Sequence, residues 1–164
     1  MVRILLTAIL SLALLTVVTG CGFRLQGSYK IPTSLKTLSV DSADEYSELT
    51  RLVKDRLRLS GVQVVASDAT IPSVRLIKDT LERTTLSLYP TGNVAEYELI
   101  YHVQFAVAIP GEEAKPFNVE IRRDYLDDPR TALAKSREME LLVKEMRQQA
   151  ADNLIQTLAA IGEN

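Results

Sequence analysis

The sequence VAEYELIYHVQFAVAI, residues 94–109, alternates between apolar side chains at odd positions and more polar ones at even positions. The odd positions from 97 onward are Tyr97, Leu99, Tyr101, Val103, Phe105, Val107 and Ile109. Strict period-two alternation over such a length predicts a long β-strand with one buried face. Because a strand cannot bury its own face, other elements of the chain must cover the odd side.

Two more strand candidates flank this stretch. Residues 74–89 are rich in strand-forming residues, but their alternation slips near residues 79–80, which predicts a bulge or a bend there. Residues 117–126 alternate again. Turns containing proline and glycine separate the three strands, so we expect an antiparallel meander.

A strand, a helix and a second strand precede the meander. Residues 35–40 and 62–66 are short apolar strand candidates, and the segment between them has helical periodicity. Ser42-Ala43-Asp44-Glu45 matches a capping box at a helix start, and Gly61 supplies the stop. The predicted core stripe of this helix is Tyr46, Leu49, Leu52, Val53 and Leu57. Two strands joined through a helix are expected to be parallel.

A long helix ends the chain. Asp128-Pro129 is typical of an N-cap followed by proline at the first helical position. The face predicted to be buried consists of Leu133, Met139, Val143, Met146, Ala150, Leu154, Leu158 and Ile161. Because so long a helix is unusual in a globular domain, we expect a break near Lys135 and Ser136. The two helices are then predicted to cover the odd face of the sheet.

Residues 1–20 have the features of an export signal. Arg3 precedes a charge-free apolar run from Ile4 to Val18, and this run is shorter than the ~20 residues that a helix needs to span a bilayer. We therefore expect this segment to be removed and to play no part in the fold.

The next residues predict a lipid anchor. Val18-Thr19-Gly20-Cys21 is similar to the lipobox of bacterial lipoproteins, which implies an N-acyl group such as palmitate and an S-diacylglycerol on Cys21. Cys21 is the only cysteine, so a disulfide within the chain is excluded and the alternative is a free thiol. Gly22 follows it, and in enteric-type sorting this points to the outer membrane. We expect residues 21–34 to form an acylated N-terminus and linker, and residues 35–164 to form one α/β domain.

The composition fits a globular domain without a catalytic site. The chain has 164 residues, 46% of them hydrophobic and 24% charged. Its net charge of −2 is no electrostatic footprint for nucleic acid. His102 is the only histidine, so the common transition-metal ligand sets cannot be assembled, and no nucleophile elbow or phosphate loop occurs. We predict that the protein is not an enzyme and holds no metal or cofactor.

A set of basic residues surrounds the last strand-to-helix junction. Its members are Arg122, Arg123, Arg130, Lys135 and Arg137. Interspersed aspartates are typical of an ordinary solvated surface. The alternative is that some members converge on the phosphate or carboxylate of an anionic lipid, since Arg can bind such groups bidentately and Lys acts as a point charge.

Several short motifs, taken together and in order, resemble the lipopolysaccharide-assembly lipoprotein family LptE. They are Cys21-Gly22-Phe23-Arg24-Leu25-Gln26-Gly27, Leu57-Arg58-Leu59, Ala95-Glu96-Tyr97, Ile109-Pro110-Gly111, Ala132-Leu133-Ala134-Lys135 and Val143-Lys144-Glu145-Met146. Each motif is weak alone, but the resemblance runs over essentially the whole chain after residue 20.

That resemblance implies an α/β two-layer sandwich with two helices on one face of a mixed four-stranded sheet. It implies a non-enzymatic outer-membrane lipoprotein on the periplasmic side, held within the lumen of the large β-barrel LptD. In that position the lipoprotein assists assembly of the barrel and delivery of lipopolysaccharide to the outer leaflet.

The resemblance also implies residues for lipopolysaccharide contact. In the family this contact is associated with the lysine of Ala-Leu-Ala-Lys and with a basic residue in the hairpin before Ala-Glu-Tyr. The lysine corresponds to Lys135. The hairpin position is Pro90, which is not basic, so we expect Arg123 or Arg83 to substitute for it.

Two other functions remain open at this point. The first is a lipid-binding auxiliary lipoprotein of another envelope transport system, which an enclosed apolar cavity would favour. The second is a protein that stabilises the barrel without contacting lipid. Only measurements of lipopolysaccharide binding distinguish this function from the one that the family resemblance implies.

Overall fold

The alternating stretch forms the long inner strand of a sheet that two helices cover on one side. The structure, a computed structural model, describes residues 30–127 and 132–161. After a 3-10 turn at Thr33–Leu35, the elements are β1 (Thr37–Ser42), α1 (Glu48–Leu59), β2 (Gln63–Val65), β3 (Ser73–Leu88), β4 (Val94–Ala108), β5 (Lys115–Leu126) and α2 (Ala132–Ile161).

The sheet is mixed and has five strands in the order β2-β1-β3-β4-β5. β1 runs parallel to both β2 and β3, whereas β3, β4 and β5 form the predicted antiparallel meander. The expectation of four strands is therefore wrong by one. The fifth strand is β2 (Gln63–Val65), which lies within the strand candidate predicted at residues 62–66. It is short and pairs with β1 through only three residues.

The predicted burial of the odd face of β4 is confirmed. Leu99, Tyr101, Val103, Phe105 and Val107 are all buried, whereas the even-numbered Glu96 and Gln104 are exposed. The other side of this core comes from α1 and α2, whose buried side chains include Leu49, Val53, Leu57, Val143, Met146, Ala150, Leu154 and Leu158. The core extends to Ile31, which lies in the segment that we interpreted as a linker.

The start of α1 differs from the predicted capping box. Ser47 is the N-cap, and its hydroxyl accepts a hydrogen bond of 3.1 Å from the backbone N–H of Thr50. Ser42 instead ends β1, and its hydroxyl accepts from the N–H of Asp44 in the turn that follows. Because the helix begins after Tyr46, this side chain lies outside the core stripe and is 87% exposed. The predicted stop is confirmed, since Gly61 adopts a φ of +74° just beyond the helix.

The last helix runs without the predicted break. Two contacts cross the expected position: the Tyr125 hydroxyl donates to the Lys135 carbonyl at 2.9 Å, and the Lys135 ammonium lies 2.8 Å from the Glu138 carboxylate. Leu133, predicted to be buried, is 72% exposed because α2 extends past the core at this end. The predicted cap at residues 128–129 lies outside the described residues.

The irregularity of β3 lies close to, but not at, the predicted position. Its register against β4 shifts between Leu76 and Lys78, so Ile77 is the extra residue, and two further shifts lie between Thr85 and Leu88. Residues 79–80 themselves pair regularly. One extra residue reverses the face of every later side chain, which explains why the alternation slips after this point.

We expect Ser47→Ala to lower the free energy of unfolding by about 1 kcal/mol, because it removes the hydroxyl that caps α1. Urea-induced unfolding of the variant and of the unmodified chain gives this difference. The matched control is Ser42→Ala, which removes the hydroxyl of the predicted but unused cap and should cost less than about 0.5 kcal/mol. A larger loss for the Ser42 variant would mean that α1 starts earlier.

Candidate functional site

The basic residues at the last strand-to-helix junction divide between two faces of the sheet. Alternation along β5 places Arg123 on the side of the helices and Arg122 on the opposite side, which we call the open face. Lys135 lies near the start of α2, and Arg137 there is exposed. Arg130 lies outside the described residues. Only some of the predicted set can therefore converge on one ligand.

Arg122 is neutralised on the open face. Its guanidinium lies 3.0 Å from the Glu98 carboxylate and 2.7 Å from that of Glu120. Hydrogen bonds from Arg122, first to Glu98 and then to Glu120, raise the pKa of the guanidinium. His102 joins the same network, with Nδ1 3.3 Å from Glu120. Because carboxylates surround Arg122, this position is a poor one for binding an anion.

Arg83 and Arg123 occupy equivalent places on the helix side. In the register of the sheet both pair with Leu99, one from β3 and the other from β5. Since neighbouring strands are about 4.8 Å apart, their Cα atoms are separated by roughly 10 Å. The Arg83 guanidinium lies 4.3 Å from the centroid of the Tyr97 ring. Arg123 donates to the Gln149 side chain.

Lys135 approaches the same end of the sheet from α2. Its ammonium lies 5.2 Å from the centroid of the Tyr125 ring and 2.8 Å from the Glu138 carboxylate. The hydrogen bond to Glu138 raises the pKa of Lys135, so this side chain is fully charged at neutral pH. Burial raises the pKa of Tyr125, which therefore stays a neutral phenol that donates to the backbone of the helix.

Two tyrosines bring these cations together. Tyr97 and Tyr125 pair directly across β4 and β5, and Arg83 and Lys135 each contact one of the two rings. A cation over an aromatic face is held there by its attraction to the negative face of the ring. We call Arg83, Arg123 and Lys135, with the two tyrosines, the tyrosine-backed basic cluster. Sequence reasoning missed the role of the tyrosines, although the period of two already placed both on the buried side.

The turn between β3 and β4 closes next to this cluster and contributes no charge. Residues 90–93 include no ionisable side chain, and Pro90 is exposed. The Tyr89 hydroxyl donates to the backbone carbonyl of Asp127 at 3.3 Å, which fastens the turn to the end of β5. The cluster is therefore held by β3, β4, β5 and α2 rather than by the turn.

A surface groove with largely polar walls lies on the open face of the sheet. It has a volume of about 430 Å³ and is lined by Lys78, Thr80, Glu82, His102, Gln104, Asn118 and Glu120, together with two valines. Within residues 30–127 and 132–161, no three His, Cys, Asp or Glu side chains are placed to hold a metal ion. Neither described helix is both long enough and apolar enough to cross a membrane.

Comparison with known proteins gives consistent matches. The LptE family, described as lipopolysaccharide-assembly, matches residues 35–158. The LPS-assembly lipoprotein LptE of Pectobacterium atrosepticum is 42% identical over 160 residues, which cover 96% of this chain and 86% of that protein. The crystal structure of rare lipoprotein B from Shewanella oneidensis has a TM-score of 0.72 and 70% identity, covering 76% of this chain and 95% of that one.

A more distant structure shares the fold. The lipoprotein B from Nitrosomonas europaea, solved by NMR, has a TM-score of 0.70 at 22% identity and covers 87% of this chain and 93% of that chain. At this level of identity the likeness supports the two-layer architecture and says nothing about a ligand.

We expect Tyr125→Phe to loosen the first turns of α2, because it removes the hydroxyl that binds the Lys135 carbonyl. The loss of one such bond should cost about 1 kcal/mol. Amide hydrogen exchange should become faster over residues 134–139 and stay unchanged over residues 146–158. Uniform acceleration along the whole helix would instead mean that the hydroxyl supports the core in general.

Proposed function

We propose that this chain, which belongs to the LptE lipopolysaccharide-assembly family, is a non-enzymatic lipoprotein subunit of the machinery that delivers lipopolysaccharide to the outer leaflet. It works in complex with the large outer-membrane β-barrel LptD, within whose lumen it is held, and it assists assembly of that barrel. Its own contribution to lipid handling is direct contact with lipopolysaccharide through the tyrosine-backed basic cluster.

The observation that carries the lipid contact is the pairing of Arg83 and Lys135 on adjacent tyrosines. Lipopolysaccharide carries phosphate groups, and guanidinium and ammonium groups bind phosphate through charge-assisted hydrogen bonds. Arg83 is exposed and is held by its contact with Tyr97, whereas Lys135 is partly buried, where the local dielectric is lower than in water and such a contact is stronger. Lys135, with a side chain only 17% exposed, is oriented by one carboxylate, that of Glu138, whereas Arg122 is held between two, those of Glu98 and Glu120.

Arg83 supplies the cation that the hairpin turn lacks. Pro90 occupies the turn position at which the family resemblance implies a basic residue. Arg83 lies on the adjoining strand and faces the helix side, where it contacts Tyr97. Arg123 is the less suited substitute, since its guanidinium is already engaged by the Gln149 side chain and by the Arg122 carbonyl.

Cys21 is the proposed point of attachment to the membrane. It follows an apolar export segment within a lipobox-like motif, and it is the only cysteine of the chain. Two or more acyl chains on this residue would anchor the protein stably to the outer membrane from the periplasmic side.

We expect Lys135→Glu and Arg83→Glu each to weaken binding of purified lipopolysaccharide by about tenfold, since each removes a charge-assisted contact and adds repulsion. Calorimetric titration of the detergent-solubilised protein measures the dissociation constant, and circular dichroism checks the fold. The matched control is Arg122→Glu, which makes the same charge change on the open face and should leave binding within twofold. Equal losses of affinity in all three variants would mean that binding depends on the net charge of the protein and not on the basic cluster.

A second experiment tests the anchor and the partner together. We expect mass spectrometry of the mature protein to find Cys21 as the first residue with fatty acyl chains attached. Cys21→Ala should leave the protein folded but should deplete it from outer-membrane fractions. The tagged, unmodified chain should copurify with a large barrel protein from solubilised outer membranes. An unmodified cysteine refutes the anchor, whereas the absence of any barrel refutes the partner.

A further inference from the structure

The outer edge of β3 is free along most of its length. β1 pairs with this strand only from Ser73 to Leu76, and no other strand of the described chain pairs with that edge. From Lys78 to Leu88 the strand therefore presents a row of backbone N–H and C=O groups that no described strand satisfies. Such a row is complementary to another extended polypeptide.

Structural irregularities define which part of the edge can pair. Ile77 is the extra residue of a bulge, and a second register shift follows Thr85. Regular pairing along the free edge is therefore confined to residues 78–85. Within that segment Leu81 is 42% exposed, although it lies on the helix side and faces Tyr101 in register. An exposed leucine in the middle of a free edge favours coverage by a partner.

The sequence of this segment is complementary to itself in one antiparallel register. If two copies meet with Leu81 opposite Leu81, each Asp79 lies opposite an Arg83 of the other copy on the helix side. On the open face, each Thr80 then lies opposite a Glu82. Opposite charges placed across an antiparallel pair stabilise it, and a two-fold axis through Leu81 generates both ion pairs at once.

Neighbouring registers are unfavourable. Moving the axis to Glu82 places two carboxylates opposite each other, and moving it to Arg83 does the same with two guanidinium groups. Moving it to Thr80 would require pairing at Leu76, where the edge is occupied by Ser42 of β1. The register centred on Leu81 uses all the free residues from Lys78 to Thr84 and places no like charges opposite each other.

The charged groups are available for this pairing. The Tyr101 hydroxyl donates to one oxygen of Asp79 at 2.6 Å, which leaves the other oxygen to accept from a second molecule. The guanidinium carbon of Arg83 lies 4.3 Å from the centroid of the Tyr97 ring, a contact with the ring rather than with a carboxylate. Beyond Thr85 a second register shift interrupts the regular strand, at the residues that would otherwise lie opposite Leu76 and β1 of the other copy.

We propose that the free edge of β3 pairs with a second copy of this chain, in an antiparallel two-fold dimer centred on Leu81. The inference goes beyond the proposed function, because it concerns the chain when its barrel partner is absent. The dimer covers an edge that would otherwise be open to uncontrolled strand pairing.

Disulfide trapping tests the register. The detergent-solubilised full chain carrying Leu81→Cys is oxidised and examined on a non-reducing gel. Opposite Cα atoms of an antiparallel pair are about 5 Å apart, within disulfide range, so we expect a large fraction of covalent dimer. The matched control is Leu88→Cys. This site is more exposed, at 60%, but in the same register its two copies are roughly 48 Å apart. Both variants retain Cys21, so the unmodified chain is oxidised in parallel to measure any covalent dimer that forms through Cys21.

The outcomes separate clearly. Dimer formation by Leu81→Cys well above both Leu88→Cys and the unmodified chain supports the register. Equal yields from the two variants would reflect random collision and would overturn it. Sedimentation equilibrium of the reduced, unmodified chain gives the second measurement. A purely monomeric mass would overturn the proposal and would leave the edge to a different extended polypeptide.

Discussion

The structure depends on the need to cover one face of β4. Its odd-numbered side chains are apolar along the whole strand, and Leu99 and Phe105 are completely buried. Burial of this face is the main favourable contribution to folding, and it requires α1 and α2 to lie on the same side of the sheet. The same requirement fixes the register of β3 and β5, because a slip of one residue would turn their apolar side chains to solvent.

Once the faces are fixed, neighbouring residues acquire opposite electrostatic roles. Arg122 and Arg123 are adjacent in sequence, yet the first is surrounded by glutamates on the open face and the second lies among the helices with Gln149. The helix side also carries Arg83 and Lys135 on tyrosine rings. A single sheet thus has an open face rich in carboxylates and a helix side whose exposed end is basic.

Periodicity predicted most of the fold. The alternation of β4, the meander, the parallel unit and both helices follow from patterns that extend over many residues, where single exceptions matter little. The errors are local. Ser42 and Ser47 both precede acidic residues, and only tertiary packing decides which hydroxyl caps α1. α2 is unbroken at Lys135, where the Tyr125 hydroxyl donates to the Lys135 carbonyl, a contact between two elements that no single periodic pattern relates.

The candidate site was predictable only in part. Lys135 was already a member of the basic set at the last junction, and the family resemblance added Arg83 and the lipid-contact role, whereas the tyrosines beside them became visible with the register of β4 and β5. Contacts between a cation and a ring depend on rotamers of long side chains, and no sequence period reports these rotamers.

The length of β4 also sets a distance within the molecule. Ser34, near the start of the described chain, lies beside Ile109 at one end of the sheet, whereas Tyr97 and the basic cluster lie at the other. At about 3.3 Å per residue, the strand separates these two ends by roughly 40 Å. Because β4 is a single strand fixed on both sides by β3 and β5, it acts as a rigid spacer between Ser34 and the cations. The number of residues in one strand therefore sets how far apart these two ends of the molecule lie.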